Sequence, residues 1–266
     1  MKILKLIPVV FFLIGSGCAM HLYAQATTGL DIMKKNENQL NVKDEQVELT
    51  MILVNNKGRE RTRTVKQYIA WDEQDNRSAI VQFLSPADVK GTGLLSVENE
   101  DREDDQWLYL PALRKTRRIS ASSQTDNFIG SDFTFEDLRQ EEVDQYHYTL
   151  LGDTVIDEMN CFHIEAVPNN DAKSKETGYS KREIYISKDN FIVTLIKFYN
   201  KEGEMSKIFK ASEIKQVEGT AKYRPYHMVM ENLKTNNKTI LIFDNYLIDK
   251  GLEEDLFTQR YLEKSI

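Results

Sequence analysis

The sequence predicts an α+β, mainly β protein built on a single strongly curved antiparallel sheet, an incomplete β-barrel of about ten or eleven strands covered by a few helices. Three observations predict it. From Glu45 onward, apolar residues recur at every second position in run after run. Tight polar turns join these runs, so neighbours in sequence pair antiparallel. Strands and helices do not alternate, which excludes a parallel doubly wound sheet. A single sheet of that many strands must twist and curl, and helices must cover its hollow side.

Residues 1–24 read as a cleaved secretory signal, outside the fold. Lys2 and Lys5 precede a short apolar run over residues 7–14, too short for a permanent membrane span. Cleavage falls after Ala24 or after Ala26. Gly15-Ser16-Gly17-Cys18 is a loose lipobox, and processing there would instead anchor the chain to the outer membrane through a lipid on Cys18. Either route places the protein in the periplasm. Residues 25–266 form one domain, with no Pro/Gly/Ser-rich linker and no fixed-period repeat. The second of the two cysteines, Cys161, has no partner for an internal disulfide, so the core alone must hold the fold. The net charge of -7 comes from interspersed acids and bases. That excludes a nucleic-acid binder, which wants a basic domain, and favours solubility.

Residues 29–40 carry an apolar stripe of Leu30, Ile32 and Met33 and read as a helix. Val47, Leu49, Met51 and Leu53 then point one way, with Glu48 and Thr50 the other. Asn55-Asn56-Lys57-Gly58 turns the chain into a second long strand with Val65, Ile69 and Trp71 on one face. The same grammar gives strands over 79–83, 94–97, 107–110, 146–151, 161–167, 182–187, 191–199, 207–217, 227–232 and 238–246. Further helical pieces are a turn over 133–138 and a closing segment over 253–263.

The search for chemistry returns little. His147, His163 and His227 stand far apart with no H-E-x-x-H spacing, and Gly91-Thr92-Gly93 lacks the rest of a phosphate loop. No G-x-S-x-G elbow occurs, and Cys161 reads as a small buried hydrophobe. No catalytic residue, metal ligand or cofactor is therefore assigned, and a non-enzyme is expected. The acidic stretch 98–105 lacks EF-hand spacing and reads as a solvated hairpin tip. Arg114, Lys115, Arg117 and Arg118 are either a charged strand end facing water or a docking patch for an acidic partner or anionic lipid headgroups.

Aromatic and methionine residues on these strands mostly fill a core. A curved sheet with few helices also leaves a trough for a chain-like ligand. Alternation offers Met51, Phe83, Leu95, Trp107 and Tyr109 as apolar wall residues, with Phe162, Ile164 and Val193 further along. Burying an acyl chain there gains about 0.8 kcal/mol per methylene.

One block of sequence is specific. Trp107-Leu108-Tyr109-Leu110-Pro111, then Arg114-Lys115-Thr116-Arg117-Arg118-Ile119, then the run from Phe128 to Leu138 resembles the outer-membrane lipoprotein-sorting protein family, which includes LolA-like and LolB-like carriers. Phe83-Leu84-Ser85-Pro86, Lys90-Gly91-Thr92-Gly93 and Tyr223-Arg224-Pro225 fit the same pattern. The resemblance implies an incomplete barrel closed by helices over an apolar cavity. It also implies transfer of lipoprotein acyl chains or other lipids between membranes, with an RND-type transporter or an outer-membrane receptor as partner. The alternative is an accessory module of an envelope transporter that carries no lipid. A monomer is expected. Within the block, Phe133, Phe135 and Leu138 would anchor a short lid on the sheet, with Ser131 or Asp132 capping its start and Thr134 with Asp137 repeating a weaker capping pattern.

Overall fold

A computed structural model describes residues 27–99, 102–140 and 142–264. The expected signal segment and Cys18 lie outside the described residues. The chain opens with α1 (Gly29–Leu40), matching the expected helix. Thr28 caps it: its hydroxyl accepts from the Asp31 N–H at 3.1 Å while the Asp31 carboxylate accepts from the Thr28 N–H at 2.9 Å. Six strands follow: β1 (Asp44–Val54), β2 (Glu60–Trp71), β3 (Arg77–Ser85), β4 (Gly93–Val97), β5 (Asp105–Leu110) and β6 (Lys115–Arg118). A long irregular segment leads to β7 (Tyr146–Ile156) and β8 (Met159–Pro168), then α2 (Asp171–Thr177). The remaining strands are β9 (Lys181–Ser187), β10 (Val193–Tyr199), β11 (Met205–Gln216), β12 (Tyr223–Asn232), β13 (Asn237–Phe243) and β14 (Leu247–Ile248). The short α3 (Gln259–Leu262) follows them.

All these strands join one antiparallel sheet in the order β6-β5-β4-β3-β2-β1-β13-β12-β11-β10-β9-β8-β7, with β14 pairing to β1. The sheet is large and curved and does not close. Most hydrogen bonds join sequence neighbours, as tight turns require; at the first of them Gly58 sits at φ 73° and its N–H donates to the Asn55 carbonyl at 2.9 Å. The exception is the centre, where β1 pairs with β13 and Leu49 lies opposite Phe243.

The expected count of ten or eleven strands falls short of the fourteen observed. Two strands carry no apolar alternation to read. β6 is Lys-Thr-Arg-Arg, a charged edge strand of the kind that resists further pairing. β14 is two residues long. The hairpin between β7 and β8 also extends past the expected end of its first strand. Its turn residues Asp157 and Glu158 take φ of 46° and 67° without a glycine to announce them.

The inner face of the sheet carries the largest core cluster, formed by Leu49, Met51, Val65, Phe83, Leu94 and Leu108 together with rings from the irregular segment. Farther along, α1 lays Ile32 and Met33 onto Ile164, Ile184 and Ile186. The closing segment does not cover the inner face. Leu262, with Leu256 and Phe257, packs on the outer face against Tyr68, Ile80, Leu95 and Tyr109.

Candidate functional site

Between the inner face and the segment 128–140 lies a cavity of about 400 Å³, within the roughly 300–1,000 Å³ usual for ligand pockets. Leu49, Met51, Val65, Phe209, Met228 and Leu241 form its strand side. Phe128, Phe133 and Leu138 form its roof. A second hollow of about 210 Å³ adjoins it, lined by Tyr146, Tyr179 and Phe198; Phe133 and Phe209 line both.

The roof is strapped down by polar bonds that the inner face supplies. Arg63, buried among apolar neighbours over the Phe83 ring, donates from Nη1 to the Ile129 carbonyl at 2.7 Å. Burial holds its guanidinium below the ordinary value. Thr239 accepts from the Asp132 N–H at 2.8 Å and donates to the Asp132 carboxylate at 2.9 Å. Lys207 Nζ donates to the Asp132 carbonyl at 2.9 Å and reaches Asp137 at 3.3 Å. Burial lifts the Asp132 carboxyl above its usual range, only partly offset by Thr239 and Lys207. Thr134 and Asp137 cap one another, at 2.8 and 3.1 Å. Phe133 meets Phe209 edge-on at 6.5 Å, and Phe135 meets Phe128 edge-on at 5.7 Å.

One end of the cavity is charged. Arg224 and Glu45 pair there at 2.6 Å, both buried. Arg224 also donates to the Gln39 and Leu40 carbonyls, at 3.1 and 2.8 Å, and so closes the negative end of α1. Arg139 donates to Asp104 at 2.5 Å and Glu136 at 2.8 Å, and also bonds Glu176. Burial alone would lower its pKa, but the Glu136 and Asp104 charges push it well up. Arg77 lines the same end.

The structure divides the sequence-assigned wall. Met51 and Val193 line the cavity. Phe83 lies beneath it, its ring 5.6 Å from Phe128. Ile164 and Phe162 belong to the cluster under α1, where Phe162 stacks on Phe191 at 6.3 Å. Leu95, Trp107 and Tyr109 require correction: they sit on the outer face with the closing segment, and Leu108 is the strand's buried inner residue. Period-two alternation separates the two faces but carries no label for which is hollow. Phe133 and Leu138 roof the cavity, while Phe135 is buried behind them at 3% exposure. Arg114, Lys115, Arg117 and Arg118 are exposed along the β6 edge, with Arg118 bonded to Asp105 at 2.7 Å.

The ends of the acidic stretch are not a solvated tip. Asp104 and Asp105 are turned inward to Arg139 and to Arg102 and Arg118, and Glu98 accepts from the Arg77 N–H at 2.8 Å. Burial pushes the Glu98 carboxyl up to about 7. Sequence reasoning also missed the charged end of the cavity, although a signal was present. Glu45 shares strand parity with Val47, Leu49 and Met51, and Arg77 shares it with Ala79, Val81 and Phe83.

The family model described as "uncharacterized protein" matches residues 75–264, most of the chain. A crystal structure described as an outer membrane lipoprotein-sorting protein domain, from Vibrio parahaemolyticus, superposes with a TM-score of 0.82 at 29% identity, covering 89% of this chain and 98% of that one. The chain belongs to the family that this model describes, and its fold is that of the outer membrane lipoprotein-sorting protein domain. A DUF1329 family protein from Desulfovibrio piger matches equally, with a TM-score of 0.82 and 29% identity over 88% of this chain and 97% of that one. A LolA superfamily protein from Nitrosomonas europaea shares the fold, with a TM-score of 0.68 and 20% identity over 89% of this chain and 100% of that one. The comparison with curated proteins finds no match. Among the described residues, no helix is long and apolar enough to cross a membrane.

Proposed function

We propose that this protein is a periplasmic carrier that holds lipoprotein acyl chains or other lipids in the cavity under segment 128–140 and passes them towards the outer membrane. The cavity itself carries the reading: about 400 Å³ of space bounded mainly by Leu, Met, Val and Phe side chains that a packed core would have filled. Such walls bind by displacing water, at about 0.8 kcal/mol per methylene. The lipoprotein-sorting fold supports the same role, and no catalytic step is needed for it.

Delivery requires a roof that opens and a partner that receives. The segment carrying Phe133 and Leu138 is the lid in this reading, released when the Lys207 and Arg63 bonds part. The exposed cations of β6 supply the docking edge for an acidic face of an RND-type transporter or an outer-membrane receptor.

The test is gentle purification from cells followed by mass spectrometry of extracted lipid, and uptake of a fluorescent fatty acid by the delipidated protein. Co-purified lipid and saturable uptake are expected. Ligand-free protein that takes up none would overturn the proposal.

A further inference from the structure

The cavity's lining cations are not equivalent. Arg224 is bound to Glu45 and to two helix carbonyls, and Arg139 is held by Asp104, Glu136 and Glu176. Arg77 lines the cavity alongside both, yet among the described residues no hydrogen bond or ion pair of its guanidinium is found. The opposite charges that act on it are those of Glu98 and Glu45. Glu45 is engaged by Arg224 at 2.6 Å, and Glu98 Oε2 accepts from the Arg77 backbone N–H at 2.8 Å. Arg77 lies on the inner face in register with Trp71, at the charged end of a cavity whose remaining wall is mainly apolar.

A guanidinium next to a low-dielectric hollow bonds a carboxylate or phosphate through paired N–H donors, and such charged bonds are the strong ones. The hollow beside it, taken at about 30 Å³ for each water-sized group, accepts on the order of a dozen methylenes, hence one chain rather than several. We propose that Arg77 is a headgroup site and that the cargo is a single-chain amphiphile with an anionic head, its tail on Met51, Phe209 and Met228 and its carboxylate or phosphate on the Arg77 guanidinium. The inference rests on the carrier reading and adds a chemical class to it.

The experiment is calorimetric titration of delipidated full-length protein with dodecanoate, dodecyl phosphate and dodecanol. The wild type should bind at least one anion about tenfold or more tightly than the alcohol. Whichever anion binds more tightly identifies the source of the head, a free fatty acid or a phosphate-bearing lipid. Arg77→Met should bring the ratio of anion to dodecanol affinity down to about one, whereas Arg77→Lys should keep part of the preference. Should the methionine variant not fold, Arg77→Gln takes its place. Equal binding of acid, phosphate and alcohol by the wild type, or a preference that survives loss of the Arg77 charge, overturns the headgroup site and leaves the carrier reading standing. Binding of none of the three overturns both.

Discussion

Arg224 and Glu45 form a buried ion pair across the sheet, Nε donating to Oε2 at 2.6 Å, with side chains 5% and 7% exposed. Arg224 also donates to the last carbonyls of α1 and to the Tyr223 carbonyl, so one guanidinium ties β12, β1 and the opening helix. Removing one partner leaves the other charged and buried, which costs about 3–5 kcal/mol. Arg224→Met should lower stability by that amount in urea unfolding and raise amide exchange over the last turn of α1. Pairing it with Glu45→Leu should recover much of the loss. A cost below about 1 kcal/mol for the single change would show the pair to be dispensable.

Glu98 gives the protein a distinct acid–alkaline asymmetry. Burial raises its carboxyl from 4.5 in the reference state to about 7 in the fold. The folded state thus binds the extra proton between those values, and the stability this contributes is full below 4.5 and lost as pH rises through 7. Glu98→Gln should therefore gain on the wild type by as much as about 3 kcal/mol between pH 4.5 and pH 8. Urea midpoints across that range measure it; parallel curves would place the carboxyl at its ordinary value.

Lys207 is the strap on the roof. Lys207→Met removes its bonds to the Asp132 carbonyl and the Asp137 carboxylate. Amides of residues 131–139 should then exchange at least tenfold faster, while those of β11 and β12 change far less. Uniform acceleration across the sheet would mean that Lys207 supports the whole fold rather than the lid.

Cavity volume should govern capacity. Ala211 is buried on the strand wall, so Ala211→Phe fills space and should cut fatty-acid uptake tenfold or more while unfolding stays cooperative. Phe133 stands between the two hollows, so Phe133→Ala should join them and extend uptake to longer chains, at about 3–5 kcal/mol of stability. Unchanged chain-length preference in both variants would place the lipid elsewhere.

Gly93 lets the closing segment dock on the outer face. A Cβ there would lie 2.7 Å from Leu262 Cδ1 and 3.2 Å from the Val81 carbonyl oxygen. Gly93→Ala should displace α3, cost about 1–3 kcal/mol, and make residues past 252 sensitive to protease. Retained resistance would mean that Leu262 repacks freely.

The opening helix, the first hairpin and the antiparallel pairing were legible in the sequence because each rests on local chemistry. The stripe of Leu30, Ile32 and Met33 announces the helix, and Gly58 announces the turn. Which strand face lines the hollow was not legible, since Trp107 and Tyr109 alternate with Leu108 and Leu110 as apolar residues on both sides. The outer pair is buried only because residues 252–262 return to cover it, a contact far away in sequence. The ion network around Arg139 was equally hidden, since Asp104, Glu136 and Glu176 come from three separate segments.

The central seam between β1 and β13 has a consequence for biogenesis. Leu49 meets Phe243 only after nearly the whole chain has been made. Until then β1 presents an unsatisfied, oily margin to its surroundings, ready to stick to whatever strand comes near. A chain made amino-end first must wait in that vulnerable half-sheet, so shielding β1 until β13 arrives is a demand built into its topology.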